Sequence, residues 1–260
     1  MDTVYTSEQF HDVVLIDFNC IKAFLDKCSA DKHLLSFDFE TTGNDLNKDT
    51  PVGLSLSYDP DTAIYIPINH IDNVGIYPED LVKLFNEVII PHFTLIGHNV
   101  QFDYCMLRKL GINYPKGILD TMQMVNVLQV KQMALKTLAL AFNLLDYGQI
   151  QTLEQVLESY FGWTSPDPAK IKTIFDDPDY GTKYHCGKIA LGSVKAENYI
   201  RYCLNDARLV IRLYNEIQHI RQQKAMAALS QKSMTAESPT EASAMLSGTS
   251  VNPFANAVFE

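Results

Sequence analysis

The chain has 260 residues and a formal net charge of −10, with 47% hydrophobic and 20% charged residues. These values fit one globular domain with an appendage. The acidic balance argues against tight, non-specific binding of duplex DNA, because such binding depends on basic side chains that neutralise phosphates. It does not exclude an enzyme that holds a few nucleotides and lets metal ions neutralise the phosphate.

The N-terminal sequence has neither a basic start nor an apolar signal core. No apolar stretch of the sequence approaches the roughly 18 residues that a membrane-spanning helix needs. The five cysteines lack paired C-x-x-C spacing, so they indicate free thiols in a reducing compartment. We therefore expect a cytoplasmic protein that is not secreted and has no membrane partner.

Apolar periodicity predicts an alternation of strands and helices along most of the chain. The predicted elements, in chain order, are an edge strand over 12–16, a helix over 20–28, a buried strand over 34–39, a hairpin of strands 52–58 and 63–68, a helix over 79–88, a brief central strand over 95–97, and helices over 99–110, 120–128, 134–143 and 152–161. Such a hairpin beside a buried strand, with helices before and after, predicts an α/β fold with a mixed β-sheet flanked by helices.

The C-terminal part of the chain changes in composition. Residues 162–194 are rich in Pro, Gly and Asp, which predicts an irregular excursion, and a long amphipathic helix is expected from Lys195 to about Lys224. From Ser230 to Ser250 the polar composition without a sustained period predicts disorder. We therefore divide the chain into a domain over 1–225 and a low-complexity tail over 226–260. The aromatic residues near its end fit a peptide that docks into a partner's groove, or a tail without that role.

Asp38 and Glu40 close a buried apolar run over 34–37. On a strand, residues two apart share a face, so the two carboxylates point one way while Phe37 and Phe39 point the other. Adjacent carboxylates repel each other and lose hydration at the edge of a core. A divalent cation such as Mg²⁺ or Mn²⁺ makes such a pair favourable. A solvated, acidic strand end is the alternative.

A second acidic position follows the brief strand over 95–97. Asn99 is a good N-cap residue, and Asp103 lies one turn later on the same face of the predicted helix. Both side chains would open toward the junction between the strand and the helix. An aspartate in a first helical turn also complements the helix dipole, so this pattern alone leaves a structural role open.

A third pair lies on the long C-terminal helix. Tyr202 and Asp206 are four residues apart and therefore lie on one face of that helix. The apolar residues of the same helix predict a buried stripe, formed by Ile200, Leu204, Val210, Ile211 and Leu213. A Tyr and an Asp at this spacing are common in helices, so the pair gains meaning from the other two sites.

The patterns Asp38-x-Glu40, Asn99-x-x-x-Asp103 and Tyr202-x-x-x-Asp206 resemble, in this order, the three exonuclease motifs of the DEDD superfamily in its tyrosine-bearing branch. The resemblance is greatest to the 3′–5′ proofreading exonuclease domain of DNA polymerase I and other family A polymerases. It includes the flanking segments 38–70, Leu119-Asp120-Thr121-Met122 and Leu135-Lys136-Thr137-Leu138-Ala139. Roughly residues 10–220 are covered.

This resemblance implies a ribonuclease H-like fold and a two-metal hydrolysis of single-stranded DNA 3′ ends to nucleoside monophosphates. It implies two divalent cations, Mg²⁺ or Mn²⁺, with Asp38, Glu40, Asp103 and Asp206 as their ligands and Asp38 shared by both ions. Tyr202 would orient the attacking water, because a phenol with a pKa near 10 is a poor base at neutral pH.

The resemblance also makes Thr41, Leu46, Asn99 and Phe102 candidates for contacts with the terminal nucleotide. It implies a role in DNA replication or repair, at a nucleoid or a viral replication site, with a single-stranded DNA 3′ end as substrate. A DNA polymerase or another replication protein would then be a partner in trans, with the C-terminal tail as a docking peptide.

The sequence departs from the family pattern in places. His98 and Phe102 stand where the polymerase I pattern often has a polar residue and a tyrosine, and the segment 162–194 is longer than expected. No polymerase palm or fingers sequence follows, so we expect a free-standing exonuclease or a domain excised from a larger chain. A ribonuclease D-like exoribonuclease and a catalytically inactive exonuclease fold that serves as a docking module remain the alternatives.

Overall fold

The computed structural model describes residues 12–15, 17–28, 34–41, 45–68, 75–115, 117–131, 133–144 and 194–236. Its strands are β1 Asp12–Val14, β2 Leu34–Thr41, β3 Pro51–Ser57, β4 Ala63–Pro67, β5 Thr94–Gly97 and β6 Ile118–Asp120. Its helices are α1 Phe18–Leu25, α2 Pro78–Lys83, α3 Gln101–Lys109, α4 Thr121–Val127, α5 Leu135–Ala141 and α6 Val194–Ala236. Helix α2 continues as a π-helix over Leu84–Ile89 and ends in a helical turn over Ile90–His92.

The strands form one mixed sheet in the order β1-β4-β3-β2-β5-β6. The neighbours β2–β3 and β3–β4 are antiparallel, whereas β1–β4, β2–β5 and β5–β6 are parallel. The predicted edge strand, the hairpin and the mixed sheet with flanking helices are therefore confirmed. Strand β6 was not predicted, because three residues are too few to show a periodic pattern.

One face of the sheet is strongly apolar and carries the main core. Helices α1 and α2, the π-helix and α3 cover this face. The largest contributors from strands and helices are Phe24, Leu35, Phe37, Phe39, Leu54, Leu56, Ile64, Ile66, Phe85 and Met106. Full burial of each such side chain stabilises the fold by about 1.5–3 kcal/mol relative to exposure. The predicted inward orientation of Phe37 and Phe39 is confirmed.

The opposite face is lined by small residues along the central strands. Ser36 lies opposite Ser57, and Glu40 lies opposite Gly53, in the antiparallel pairing of β2 with β3. These small side chains leave room for α6, whose Cys203 and Leu204 pack against Ala63 and Tyr65 of β4. Farther along α6, Val210 and Ile211 pack against Ile96 of β5. The predicted apolar stripe of this helix is confirmed.

Arg212 fixes α6 to the turn between β3 and β4. Its Nε donates to the carbonyl oxygen of Pro60 at 2.9 Å, and one terminal nitrogen pairs with Asp61 at 3.0 Å. The other terminal nitrogen donates to the carbonyl oxygen of Leu144 at 3.2 Å. A planar guanidinium with several fixed donors suits such a three-way contact. The register of α6 over the sheet is therefore held by more than apolar packing.

Helix α6 is longer than predicted. It continues to Ala236, beyond the expected end near Lys224 and into the stretch from Ser230 that was predicted to be disordered. That part of the prediction was wrong, because Ala, Gln, Lys and Met sustain a helix without an apolar stripe. The predicted helix over 152–161, the excursion over 162–194 apart from Val194, and the tail beyond 236 lie outside the described residues.

Two compact units are distinguished, one over residues 1–217 and the other over 218–260. The first contains the sheet and its covering helices. In the second, the described part is helical, and its side chains from Arg221 to Gln231 are exposed. Among the described residues, none of the helices combines the length and the apolar character that crossing a bilayer requires.

Gly53 lies beneath the ring of Tyr65, and a Cβ at this position would overlap the phenol. We therefore expect Gly53→Ala to lower the free energy of unfolding by about 1–3 kcal/mol, as overpacking of a filled core does. Urea denaturation followed by circular dichroism measures this change. Gly117→Ala is the matched control, because a Cβ there meets open space. Equal stability of the two variants would contradict the packing described for Tyr65.

Candidate active site

The first two carboxylates stand at the end of β2. Asp38 lies opposite Ser55, and Glu40 lies opposite Gly53, on the sheet face that α6 covers. Both side chains are half-buried. The register of β2 with β3 shifts between Glu40 and Thr41, so the strand changes its course where the acidic residues end. The sequence prediction that the two carboxylates share a face is confirmed.

Asp103 joins this strand end through a main-chain contact. It lies in the first turn of α3, is only 4% exposed, and its Oδ1 accepts a hydrogen bond of 2.8 Å from the N–H of Phe39. The donor lies between Asp38 and Glu40 in the chain. The pairing of β2 with β5 covers only Leu34 to Ser36. Beyond that pairing, the Asp103 carboxylate therefore connects β2 to the next element.

The prediction that Asn99 is the N-cap of this helix is wrong. Helix α3 begins at Gln101 after Val100, and no side chain caps it. Asn99 has a φ of 62°, a left-handed conformation that asparagine tolerates better than most residues. Its N–H donates to Oδ1 of Asp120 at 3.0 Å. Because the turn is not yet helical, the predicted one-turn spacing of Asn99 from Asp103 on a helix face does not hold.

Asp120 organises the turns beside the site. Its Oδ1 also accepts from the N–H of Met122 at 2.9 Å, so the predicted N-cap of α4 is confirmed. Its Oδ2 accepts from the N–H of Val100 at 3.3 Å. One carboxylate at the end of β6 thus holds both the turn before α3 and the start of α4.

The third pair lies on α6 beside a lysine. Lys136, the second residue of α5, donates from Nζ to both carboxylate oxygens of Asp206, at 2.6 and 2.8 Å. The same Nζ lies 3.8 Å from the centre of the Tyr202 ring. Asp206 is 8% exposed, and Tyr202 is half-buried. Both residues of the third predicted motif therefore contact one ammonium group.

Burial and neighbouring charges shift the pKa values of Asp38 and Asp206. Burial is the largest cause that holds the pKa of Asp38 well above its usual 3.8, and the charges of Asp103, Glu40 and Asp206 add to it. Burial also raises the pKa of Asp206, whereas Lys136 and a hydrogen bond with Tyr202 lower it. Carboxylates from three distant stretches of sequence therefore act on one another at the same end of the sheet.

Burial raises the pKa of Asp103 to about 7, although the hydrogen bond from Phe39 N–H lowers it. The charges of Glu40 and Asp120 act in the same direction as burial. A carboxyl group with this pKa changes protonation near neutral pH unless a positive charge stabilises its ionised form. Asp103 is therefore a carboxylate that gains from a nearby cation.

Tyr202 is held in its neutral form. Burial is the main cause that raises the pKa of its hydroxyl above the usual 10, and the charges of Asp206, Glu40 and Asp38 add to the shift. A neutral phenol donates and accepts hydrogen bonds but does not act as a base at neutral pH. At neutral pH the phenol therefore keeps its proton, and its role in positioning a water stays a prediction.

Cys203 is a neighbour of the site that sequence reasoning did not assign. Its thiol is fully buried, and its pKa is raised by burial first, and then by the charge of Glu40 and a hydrogen bond with it. A buried thiol of raised pKa is a poor nucleophile and packs as a small apolar group. Its contribution is to support Glu40 from α6.

Among the described residues, no group of three or more His, Cys, Asp or Glu side chains is arranged to hold a metal ion. The donor chemistry nevertheless fits one, because Asp38, Glu40, Asp103 and Asp206 offer the hard oxygen ligands that Mg²⁺ and Mn²⁺ prefer. Their mutual repulsion, seen in the raised pKa of Asp38, is what a divalent cation relieves. Lys136 places a positive charge against Asp206 of this set.

The four candidate substrate contacts have different surroundings. Thr41 is buried at the end of β2, next to Glu40, and Asn99 is exposed in the turn before α3. Phe102 is half-buried and packs against the main core. Leu46 is 36% exposed in the turn after β2. Their contact with a nucleotide stays a prediction.

His98 connects the turn before α3 to more distant segments. Its Nε2 lies 2.7 Å from the carbonyl oxygen of Met133, and its Nδ1 lies 2.8 Å from the hydroxyl of Thr121. Because a carbonyl only accepts, Nε2 carries the proton in the neutral ring. Burial is the largest cause that lowers the pKa of this imidazole below its usual 6.5. The neutral ring is therefore the form that this site favours.

Sequence reasoning assigned no role to Lys136 or His98, although Lys136 lies in the family segment 135–139 and His98 directly precedes Asn99. Lys136 follows an apolar residue in Leu135-Lys136-Thr137-Leu138-Ala139, where the helical spacing alone predicts a lysine on the solvated side of a helix. Its contact with Asp206, 70 residues later, depends on the packing of α5 against α6. No local sequence pattern predicts the contact between Lys136 and Asp206. The family segment was the one available signal.

The family model described as 3′–5′ exonuclease matches residues 17–221. A curated relative, the DNA polymerase I of Borreliella burgdorferi, is 31% identical over 88 residues, which make up 34% of this chain and 10% of that polymerase. The relative is thus matched over a tenth of its own length. The family match includes all three predicted motifs.

Several solved structures are similar to the chain. RNase D of Trypanosoma brucei has a TM-score of 0.55 and 12% identity, and 79% of this chain and 64% of that chain are covered. NrnC of Brucella melitensis bound to pGG has a TM-score of 0.51 and 14% identity, with 86% and 87% covered. The catalytic core of RRP6 from Trypanosoma brucei, mutant C496S, has a TM-score of 0.53 and 10% identity, with 85% and 50% covered. At such identities the similarity shows the fold, and the predicted ribonuclease H-like architecture is confirmed.

The lowered pKa of His98 predicts how stability depends on pH. A group whose native pKa lies below its unfolded value stabilises the fold fully above the unfolded pKa of about 6.5, and this contribution is lost as the pH falls through the native pKa. We expect the ring protons of His98 to titrate below pH 6.5 in NMR spectra. The contribution of His98 to the free energy of unfolding, measured as the difference between the wild type and His98→Gln, should decrease from pH 7.5 toward about pH 5. A midpoint at or above 6.5 would contradict the buried, neutral ring.

Proposed function

Because the chain belongs to the family of 3′–5′ exonucleases, we propose that it hydrolyses single-stranded DNA from the 3′ end and releases nucleoside monophosphates. The observation that carries this proposal is the convergence of Asp38, Glu40, Asp103 and Asp206 at one end of the sheet. They come from three distant stretches of sequence, and their charges act on one another. Tyr202 lies beside them and keeps its proton.

These four carboxylates would hold the divalent cations, Mg²⁺ or Mn²⁺, on which such hydrolysis depends. When bound, the cations supply a hydroxide at neutral pH and neutralise the phosphate and the leaving oxygen. The carboxylates are negatively charged and accept but do not donate hydrogen bonds. They therefore favour the binding of cations and do not attract a phosphate group by themselves. This accounts for a nuclease with a net charge of −10.

Tyr202 would position the attacking water through its hydroxyl. Its hydrogen bond with Asp206 fixes the direction of the phenol, and the pKa above the usual value keeps the proton in place. A positioned hydrogen-bonding group contributes to rate by holding the nucleophile in line with the phosphorus. Removal of this hydroxyl should therefore affect the rate more than the binding of metal.

The proposed substrate is DNA because the chain matches the exonuclease family of family A polymerases and is similar in part to a DNA polymerase I. RNA is the second candidate, since the protein named RNase D shares the fold. Thr41, Leu46, Asn99 and Phe102 are proposed to contact the terminal nucleotide. A DNA polymerase or other replication protein is proposed as a partner in trans.

A 5′-labelled single strand of DNA and an RNA of the same sequence, each incubated with Mn²⁺, test the proposal. We expect a ladder of products shortened from the 3′ end, with DNA degraded faster than RNA. The Asp38→Ala variant should abolish cleavage while its thermal unfolding in EDTA shows an intact fold, because the change removes one repelling carboxylate. Asp26→Ala, at the exposed position that caps the C-terminus of α1, should cleave at the wild-type rate.

Faster degradation of RNA would shift the assignment to an exoribonuclease. A wild-type rate in Asp38→Ala would refute the assigned site. Inertness of the wild-type protein toward both nucleic acids would favour the catalytically inactive docking module.

Tyr202→Phe removes one hydroxyl and keeps the ring. We expect the initial rate to fall by about a hundredfold, the lower end of what a positioned proton-bearing group contributes, while the affinity for Mn²⁺ in calorimetry stays unchanged. Tyr214→Phe on the same helix is the matched control and should retain the wild-type rate. Loss of Mn²⁺ binding in Tyr202→Phe would mean that the tyrosine supports the carboxylates instead.

A further inference from the structure

Lys136 is held firmly beside the carboxylates by the packing of its helix. Leu138 of α5 is fully buried, together with Val125 of α4 and with Leu213 and Ile217 of α6. The side chain of Lys136 is 21% exposed, and that of Asp206 is 11% exposed. The pair is thus largely removed from water and differs from an exposed ion pair, which contributes little.

The ammonium group of Lys136 contacts both residues of the third motif. It has three N–H donors and no acceptor, and it donates to both oxygens of Asp206. At 3.8 Å from the ring centre of Tyr202, it also makes a cation–π contact. One positive charge therefore orients the acid and the phenol together.

The same charge acts on more than its direct partner. Among the causes that set the pKa of Asp38, three carboxylates and burial raise it, and Lys136 lowers it. For Asp206, Lys136 is the largest cause that opposes burial. Lys136 therefore offsets part of the repulsion within the carboxylate set.

A divalent cation and Lys136 compete for the same atoms. Both oxygens of Asp206 already accept hydrogen bonds from the ammonium, so a cation held by this carboxylate would approach oxygens that already have a positive neighbour. Two positive groups on one carboxylate would also repel each other. The flexible four-carbon stem of lysine allows the ammonium to leave while α5 stays in place.

We propose that Lys136 is an internal counter-cation, which holds Asp206 and Tyr202 in place in the metal-free protein and releases Asp206 when a divalent cation binds. This inference rests on the proposed function, because it concerns the cations that the exonuclease would use. It assigns a positioning role to a residue that contacts the carboxylate set from a separate helix. Lys136 thereby holds Asp206 and Tyr202 in position before a divalent cation binds.

The variant Lys136→Met, of similar length and without charge, tests this role with Ca²⁺ as the probe. In EDTA we expect its Tm to lie about 5 °C below the wild type, because it leaves a buried carboxylate without its partner. In saturating Ca²⁺ the two Tm values should converge, since the ion supplies the missing charge. Calorimetry should show Ca²⁺ binding about tenfold tighter to the variant, a difference of about 1.4 kcal/mol.

Lys22→Met is the matched control, because Lys22 forms a pair of the same 2.6 Å length with Asp26 in a more exposed place. It should change neither the Ca²⁺ affinity nor the gap in Tm between EDTA and Ca²⁺. A purely structural role of Lys136 would lower Tm equally in both solutions and leave the affinity unchanged. That result, or weaker Ca²⁺ binding by Lys136→Met, would overturn the proposal.

The wild-type protein provides a second test that does not require a variant to fold. Acetylation of lysines, followed by mass spectrometry, should be slow at Lys136 in EDTA and become faster in Ca²⁺, whereas Lys22 should react at the same rate in both. Unchanged protection of Lys136 while Ca²⁺ binds would overturn this inference and leave the exonuclease assignment intact. A wild-type protein that binds neither Ca²⁺ nor Mn²⁺ would overturn both.

Discussion

Repulsion among carboxylates is the constraint on which the rest of this structure depends. Asp38, Glu40, Asp103 and Asp206 lie at one end of a mixed sheet, and burial together with their own charges raises the pKa of Asp38 and Asp103. Such a set does not form by itself, because each carboxylate loses hydration and gains like-charged neighbours. The surrounding fold must hold each carboxylate in place by contacts that do not depend on the reacting groups. A positive charge must also compensate the negative charges of the carboxylates.

The two faces of the sheet differ in the size and polarity of their side chains, and this difference meets the requirement. The large apolar face supplies the stability, whereas the face of small residues lets α6 approach and present Tyr202 and Asp206. Arg212 fixes the register of α6 through the turn between β3 and β4. Asp120 fixes the turn that leads into α3 and so places Asp103. The acidic cluster is therefore assembled by parts of the protein that carry none of its chemistry.

The acidic positions and most strands were predictable because they produce local patterns. Alternation in β2 placed Asp38 and Glu40 on one face, and the spacing of Tyr202 and Asp206 did the same on a helix. The left-handed turn at Asn99 was not predictable, since it follows from contacts with Asp120, 21 residues away in sequence. The same holds for Lys136, whose partner lies 70 residues later. Local patterns specify faces and spacings, whereas contacts between distant helices depend on packing.

The bond from the Phe39 N–H to Asp103 has an evolutionary consequence, because its donor belongs to the peptide backbone. Any residue except proline at position 39 retains that donor. The side chain at this position can therefore change together with the hydrophobic core while the hydrogen bond to Asp103 is kept. At position 103, asparagine would keep an acceptor oxygen for the tether but lose the ionisable group. The hydrogen bond and the negative charge of residue 103 can thus be lost independently of each other. A lineage that lost catalytic activity could keep the fold through this single substitution.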